Sequence, residues 1–404
     1  MTHRTLSQEH AGGAPFSSEG AGSPWWNPAS GRVRAMRAGE NASGGRVPPK
    51  SIGSYRLSLV AVWLMTAGLA SAAVRWSDIN DQPAAWYAGA EAHTVAASIL
   101  QYQTESGGWP KNTDMTQPPS AEFLANQQED HRAPTIDNGA TTTQMDFLAR
   151  VFSATGAASC RTGFERGLDY LLAAQYPSGG WPQFFPLIKG YYTHITYNDN
   201  AMVNALTVLR LTATGRAPYA FVDADRRARA ASAVEKGIAC ILRTQVKQND
   251  KLTAWCAQHD ETTLAPAWAR NFEPPTLTAM ESVGIIKFLL GVEKPGPDIV
   301  AAVEGAVHWL ESVKISGLRI DDTPGADGTK DRHGVADPTA PALWARFYEL
   351  GTDRPVFMGR DKVVRYDYNE IERERRAGYG YLGDWPAKLL AKDYPRWRAK
   401  NKRP

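Results

Sequence analysis

Three short stretches place acidic side chains where a helix is expected to begin: "TIDNGATTTQM" from Thr135, "TYNDNAMVNAL" from Thr196, and "ARNFEPPTLTAM" from Ala269. In the first two, Asp137 and Asp199 are each followed by asparagine; in the third the acid is Glu273. An aspartate ahead of a helix is a common N-cap, satisfying free amide donors and complementing the positive end of the helix dipole. The same residues can do chemistry if their junctions converge. Two carboxylates separated by a water serve as acid and base in an inverting glycosidase, and two carboxylates side by side hold a hard divalent cation such as calcium. The repetition of Asp-Asn, with His194 and Tyr197 close to the second copy, argues for more than capping.

Basic and aromatic neighbours favour the cation. Arg270 lies three residues before Glu273, and "GRDKVVRYDYNEIERERRAGYGYLGDWP" carries Arg360, Lys362 and Arg365 among aromatic residues that include Tyr381. Guanidinium groups meet carboxylates through paired hydrogen bonds, and aromatic faces stack on sugar rings. Cation, arginine and aromatic together suggest an anionic sugar polymer. The "ERERR" run within this stretch is expected as a solvated helical face with no catalytic role.

Elements with a helical period must position these residues. Apolar side chains spaced three and four apart predict helices over 84–102, 140–153, 162–175, 200–212, 225–245, 276–291 and 297–313, with shorter ones at 342–350 and 387–394. Few segments read as strands, and 354–384 reads as irregular and charged. "SGGWPKNTDM" from Ser106 and "SGGWPQFFPL" from Ser178 recur 72 residues apart, each after a helix, with a weaker copy in "QVKQNDKLTAWCAQ" from Gln245. A period of that size holds a helical hairpin. Hairpins stacked in a closing row form an α/α toroid, so the expected fold is all-α, with long irregular loops. In the shared letters, the glycines allow a sharp exit from a helix and the tryptophan packs across the junction. Function is expected in the residues just beyond the shared letters, where Lys111 and Asn112 occur only in the first copy. Equivalent junctions of such a row share one end, which would bring Asp137, Asp199 and Glu273 to one mouth.

The chain has 404 residues, 43% hydrophobic and 10% aromatic, enough for a large core, and its net charge of +3 does not call for nucleic acid. Residues 1–75 read as an unfolded leader and 76–404 as the catalytic domain. Within the leader, "LSLVAVWLMTAGLASA" follows Arg46, Lys50 and Arg56 and ends in small residues, the order of a secretory signal over about 56–73. Export to the periplasm or beyond is expected, with no stable membrane insertion after signal removal. The signal lies far from Met1, and Met36 would give a more ordinary leader. Of the cysteines, Cys160, Cys240 and Cys256, at most one pair can bridge, and Cys240 with Cys256 is possible.

"GGWPKNTDM", "TIDNGATTTQM", "THITYNDNAM", "ARNFEPPTL" and "GRDKVVRYDYNEIERERRAGYGYLGDWP" occur in that order, and the set resembles the catalytic module of the family 10 polysaccharide lyases, the pectate lyases with an α/α toroid. The resemblance runs from about Trp86 to Trp397. It implies calcium-assisted β-elimination on α-1,4-polygalacturonate, giving 4,5-unsaturated oligogalacturonides. By the same resemblance Arg270 matches the base that takes the C5 proton, and Asp199 and Asp137 match the acids of the calcium and substrate centre. Arg360 matches a contact to a substrate carboxylate. Lys111, Asn112, Arg365 and Tyr381 are further candidates for substrate binding, and a monomer is expected. On the residues alone two other readings stay open: an inverting glycosidase using Asp137 and Asp199, and a uronate-binding protein without turnover. A terpene-cyclase-like protein is disfavoured because no Asp-x-Asp-Asp or Asp-Asp-x-x-Asp motif is present.

Overall fold

Helices follow the predicted periodicity closely. In the computed structural model they are α1 (Ala90–Tyr102), the short α2 (Ala121–Ala125), α3 (Thr142–Thr155), α4 (Ala158–Ala174), α5 (Ala201–Thr214), α6 (Ala224–Thr244), α7 (Ala279–Leu290) and α8 (Pro297–Ser312). The structure describes residues 73–126, 132–324 and 328–401. The expected leader, its signal-like segment and the choice of start therefore lie outside the described residues, apart from 73–75. Among the described residues no helix is long and apolar enough to cross a membrane.

The helices pair as α3 with α4, α5 with α6 and α7 with α8, and the pairs stand in sequence order. α1, α3, α5 and α7 pack on one another in one row, and α4, α6 and α8 form a second row. This is the α/α toroid. Its core is aliphatic and aromatic, with Phe147, Leu148, Leu168, Leu171, Leu206 and Leu209 fully buried.

The repeated tryptophans lock each hairpin to the next. Trp109, Trp181, Trp255 and Trp344 are buried, and their indole N–H groups donate to the carbonyls of Ile99, Leu171, Ile241 and Leu310, at 2.7–2.8 Å. A buried indole needs such a partner. The glutamines that end the preceding helices form a matching series. Gln103 donates to Gly107 and Gly163, Gln175 to Gly179 and Ala233, and Gln245 to Thr253 and Ala302, so each ties its own loop to a helix of the next hairpin. The weak third copy thus obeys the same rule, with a two-stranded turn, Lys247–Gln248 with Lys251–Leu252, inserted before its tryptophan. Glycine is required twice by the close approach of helices. Gly107 and Gly179 sit at φ +97° and +92°, where a Cβ would lie 2.3 Å from the Arg166 carbonyl oxygen and 2.1 Å from that of Lys236.

Two expectations change. Residues 342–350 are not helical. Trp344–Ala345 pairs antiparallel with Leu382–Gly383, and Phe347–Glu349 pairs with both Thr276–Thr278 and Pro355–Val356. The last two pairings belong to a four-stranded antiparallel sheet that also includes Val364–Arg365. A short apolar run does not separate helix from strand by period, and the aromatic residues Trp344, Phe347 and Tyr348 suit a pleated, buried surface. The cysteines are all buried and free, so Cys240 and Cys256 are not bridged. The remaining helices, α9 (Arg373–Gly378) and α10 (Tyr394–Asn401), come after this sheet, with a π-helical turn, Leu389–Asp393, leading into α10.

Candidate active site

The entrances to α3, α5 and α7 are each pinned by a tryptophan. The amides of Thr135, Thr196 and Thr278 donate to the carbonyls of Trp109, Trp181 and Trp255, at 2.8–3.1 Å. This sets a common register in which Asp137 matches Asn198, and Asn138 matches Asp199. The backbone agrees: Asn138 and Asp199 both take left-handed conformations, at φ 52° and 49°, inside equivalent 3-10 turns. The two Asp-Asn pairs are therefore offset by one residue. Counting three residues on from Thr278 in the same way gives Glu281, in the first turn of α7. The third acid of the series is thus Glu281, and Glu273 stands before the strand Thr276–Thr278 instead of at a helix entrance.

None of these acids caps its helix: α3, α5 and α7 have no side-chain cap bond. Asp137 is buried, and its Oδ2 accepts from Lys111 Nζ at 2.6 Å and from Gln183 Nε2 at 2.8 Å, while Oδ1 accepts from the Asn138 amide. Lys111 and Gln183 are the residues directly after the two Ser-Gly-Gly-Trp-Pro copies, so the repeat aims two different side chains at one carboxylate. Gln183 is not among the residues expected from sequence; its place after the second repeat is the signal that could have found it. Asn112 accepts from Asn138 on the outer side of the same turn, at 2.9 Å.

The turn Asp137–Gly139 packs on Asn198–Asn200, which packs on α7. There the dominant group is Arg346, absent from the sequence-based set because its segment reads as a helix by its apolar spacing. Its guanidinium is buried. Nη2 donates to Asp199 Oδ1 at 3.0 Å and to Asn198 Oδ1 at 3.1 Å; Nε donates to Glu281 Oε1 at 3.0 Å, which Nη2 also meets. Burial pushes the Glu281 carboxyl up and the Asp199 charge adds to this, against the pull of Arg346.

Arg270 and Glu273 form a forked pair, Nε to Oε2 at 2.8 Å and Nη2 to Oε1 at 2.6 Å, and Tyr379 donates to Glu273 at 2.6 Å. Burial works to lower the Arg270 pKa, but the Glu273 charge outweighs it and holds the guanidinium above its ordinary value. Burial likewise works to raise Glu273, and Arg270 with Arg346 and the Tyr379 hydroxyl holds it below the usual carboxylate range. The Tyr379 ring centroid lies 5.6 Å from the Arg270 Cζ and 4.9 Å from that of Arg346. Around Phe272 gather Arg375, Arg270 and Arg360, at 4.7, 5.1 and 5.9 Å.

Arg360 is exposed and pairs with Glu374, beside Arg270. Arg365 pairs with Asp361 on the edge strand, and no contact among the described residues brings it to Arg270. Tyr381 is fully buried; its hydroxyl donates to the Met358 carbonyl and its ring backs Tyr379 at 4.7 Å, so it supports the site from behind. The "ERERR" expectation is also corrected. Arg375 and Arg376 are buried, and Arg376 pairs with Asp331 to fasten the hairpin Leu318–Pro324/Lys330–Ala336. Buried arginines persist when stacked or paired, which a charge run alone does not reveal. On the opposite side, Phe184, Tyr192 and Tyr191 form a run of rings, at 5.2 and 4.1 Å, from Lys111 to within the influence of Arg270.

The oxygen donors suit a hard cation at one aspartate more than at the other. Asp199 is 30% exposed, its Oδ1 accepting from Arg346 at 3.0 Å and its Oδ2 from Asn198 Nδ2 at 2.8 Å, and Glu281 Oε2 is buried without a hydrogen-bond partner among the described residues. Such an all-oxygen set fits calcium. Asp137 is buried, and its Oδ2 is held by both Lys111 and Gln183. A second grouping, His194, Asp260 and Glu261, has ligand atoms within 4.8 Å of one another, but its histidine is hydrogen-bonded to Glu261 and an imidazole suits calcium less well.

A toroid of helical hairpins with arginines, packed aromatic rings and carboxylates gathered at helix entrances suits an enzyme acting on an acidic polysaccharide. Comparison with known proteins agrees. The pectic acid lyase family model matches residues 103–390. A solved family 10 polysaccharide lyase from Cellvibrio cellulosa is 34% identical, over 80% of this chain and 94% of that one, with a TM-score of 0.68. An aspartate-to-alanine mutant of a family 10 polysaccharide lyase from the same organism, in complex with trigalacturonic acid, is 35% identical over 79% and 97% of the two chains, with a TM-score of 0.67. No curated protein sequence matches the chain. The chain belongs to the pectic acid lyase family.

Proposed function

We propose that this enzyme cleaves α-1,4-linked polygalacturonate by β-elimination, with Arg270 as the base and with calcium. The observation that carries the reading is the gathering of Arg270, Arg346, Arg360 and Arg375 about Phe272 and Tyr379, beside the Asp199 turn. Guanidiniums bind uronate carboxylates in a forked geometry. Calcium, held by Asp199, would neutralise a uronate carboxylate and make the adjacent C5 proton more acidic. Arg270, 41% exposed, faces substrate with its remaining nitrogen while Glu273 fixes its plane. As Arg270 takes the C5 proton, the C–H electrons form the C4–C5 double bond, the C4–O bond breaks, and water protonates the leaving oxygen. A base must give up its own proton first, and Glu273 opposes this. Substrate-side positive charge and the neighbouring arginines work the other way, so activity is expected to peak at alkaline pH.

Asp137, Lys111, Asn112 and Arg360 are assigned to substrate binding, with Arg365 and Tyr381 more remote. Export and a monomeric state are proposed on the sequence alone. The test is ultraviolet absorbance on polygalacturonate with calcium and then with a chelator, since elimination conjugates the new double bond to the carboxylate. A calcium-dependent rise, lost in Arg270→Ala and Asp199→Ala, is expected. Reducing ends without absorbance would instead favour Asp137 and Asp199 as a hydrolytic pair, and binding without either signal would favour a non-catalytic role.

A further inference from the structure

Asn138, Asp199 and Glu281 occupy one register, each three residues beyond a threonine whose amide is bonded to a buried tryptophan. Only the last is deeply buried: Glu281 is 1% exposed, and it shares Arg346 with Asp199. A charge in a protein interior is costly, and replacing a buried pair with apolar residues is often stabilising, so an ion pair of this kind does not explain itself through stability. Its effect on the neighbouring aspartate does.

Arg346 alone beside Asp199 would leave the pair neutral. With Glu281 present, one guanidinium is shared by two carboxylates, and the nearby Glu273 is balanced by Arg270. Among Asp199, Glu281, Glu273, Arg346 and Arg270, three carboxylates then face two guanidiniums, and Asp199 is the part-exposed carboxylate that shares Arg346. We propose that Glu281 is a positioning residue which, by sharing Arg346 with Asp199, keeps that guanidinium from cancelling the negative charge around Asp199, and so sets the affinity of this site for a divalent cation. This rests on Asp199 being the cation ligand.

The experiment is calcium titration calorimetry on the full chain, with circular dichroism and thermal melting to confirm folding. Glu281→Gln keeps the shape and an acceptor for Arg346 but removes the charge, and should weaken calcium binding roughly tenfold or more. Arg346→Gln, which removes a positive charge, should tighten it. Glu281→Gln combined with Arg346→Gln restores the original net charge and should return affinity to within about threefold of the parent. If Glu281→Gln binds calcium as the parent does while Asp199→Asn has lost it, the role of Glu281 is refuted and the cation site stands. If Asp199→Asn binds as the parent does, the reading of the site itself fails. Should Glu281→Gln not fold, the double variant compared with Arg346→Gln decides: roughly tenfold weaker binding in the double variant supports the proposal, and equal binding overturns it.

Discussion

Glu273→Gln tests Arg270 as a base more directly than removing the arginine, because it changes the ease of proton loss while leaving the guanidinium in place. The two groups meet through bonds of 2.8 and 2.6 Å, and Glu273 is buried behind the arginine. Charge centres in a forked pair lie about 4 Å apart, worth about 4 kcal/mol at an effective dielectric of about 20. Arg270 is 41% exposed, so solvent screening reduces this. About 1.5 kcal/mol is left, equivalent to about one pH unit. The sign is fixed by Glu273 favouring the charged guanidinium: without it the neutral form is reached at lower pH. The limb of the kcat profile that rises with pH should move about one unit toward acid, while loss of the fork lowers maximal kcat about tenfold. The assay is initial-rate ultraviolet absorbance on saturating polygalacturonate across alkaline pH. A limb that stays in place, or moves toward higher pH, would refute Arg270 as the proton acceptor.

Gln183→Ala removes one of two donors to the buried Asp137 oxygen, and kcat/KM on polygalacturonate should fall about tenfold, with a stability loss of about 1–3 kcal/mol in denaturant unfolding. Gly179→Ala forces a Cβ to 2.1 Å from the Lys236 carbonyl oxygen at φ +92°, and should lower stability by roughly 3 kcal/mol in denaturant unfolding. Burial depresses the pKa of His259 to about 4, with its Nδ1 donating to Leu264 and its Nε2 accepting from Cys256. The unfolded chain therefore takes up a proton that the folded chain refuses, so stability is lost as pH falls from about 6.5 toward 4, by up to roughly 3 kcal/mol. His259→Gln should flatten that part of a melting-temperature profile; an equally steep fall in the variant would show that other groups are responsible.

The hairpins and their repetition are legible in the amino-acid letters. Apolar spacing dictates α3 to α8 because a helix must bury one stripe whatever its neighbours are, and Ser-Gly-Gly-Trp-Pro marks junctions because only glycine tolerates the backbone found at Gly107 and Gly179. Asp137, Asp199, Arg270, Arg360, Lys111 and Asn112 are candidates that the letters offer through residue type, spacing and the family resemblance. The effect of these groups on one another arises only when the chain folds. Arg346 sits 147 residues from Asp199, Glu281 is hidden within an apolar helix, and Tyr379 joins Glu273 across 106 residues. Such pairings depend on which junctions share an end and on the register set by the tryptophan carbonyls, neither of which a local pattern encodes. The offset of the two Asp-Asn pairs shows the limit best. Identical letters occupy different positions because hydrogen bonds from Thr135 and Thr196, and not the letters themselves, fix where each carboxylate lies.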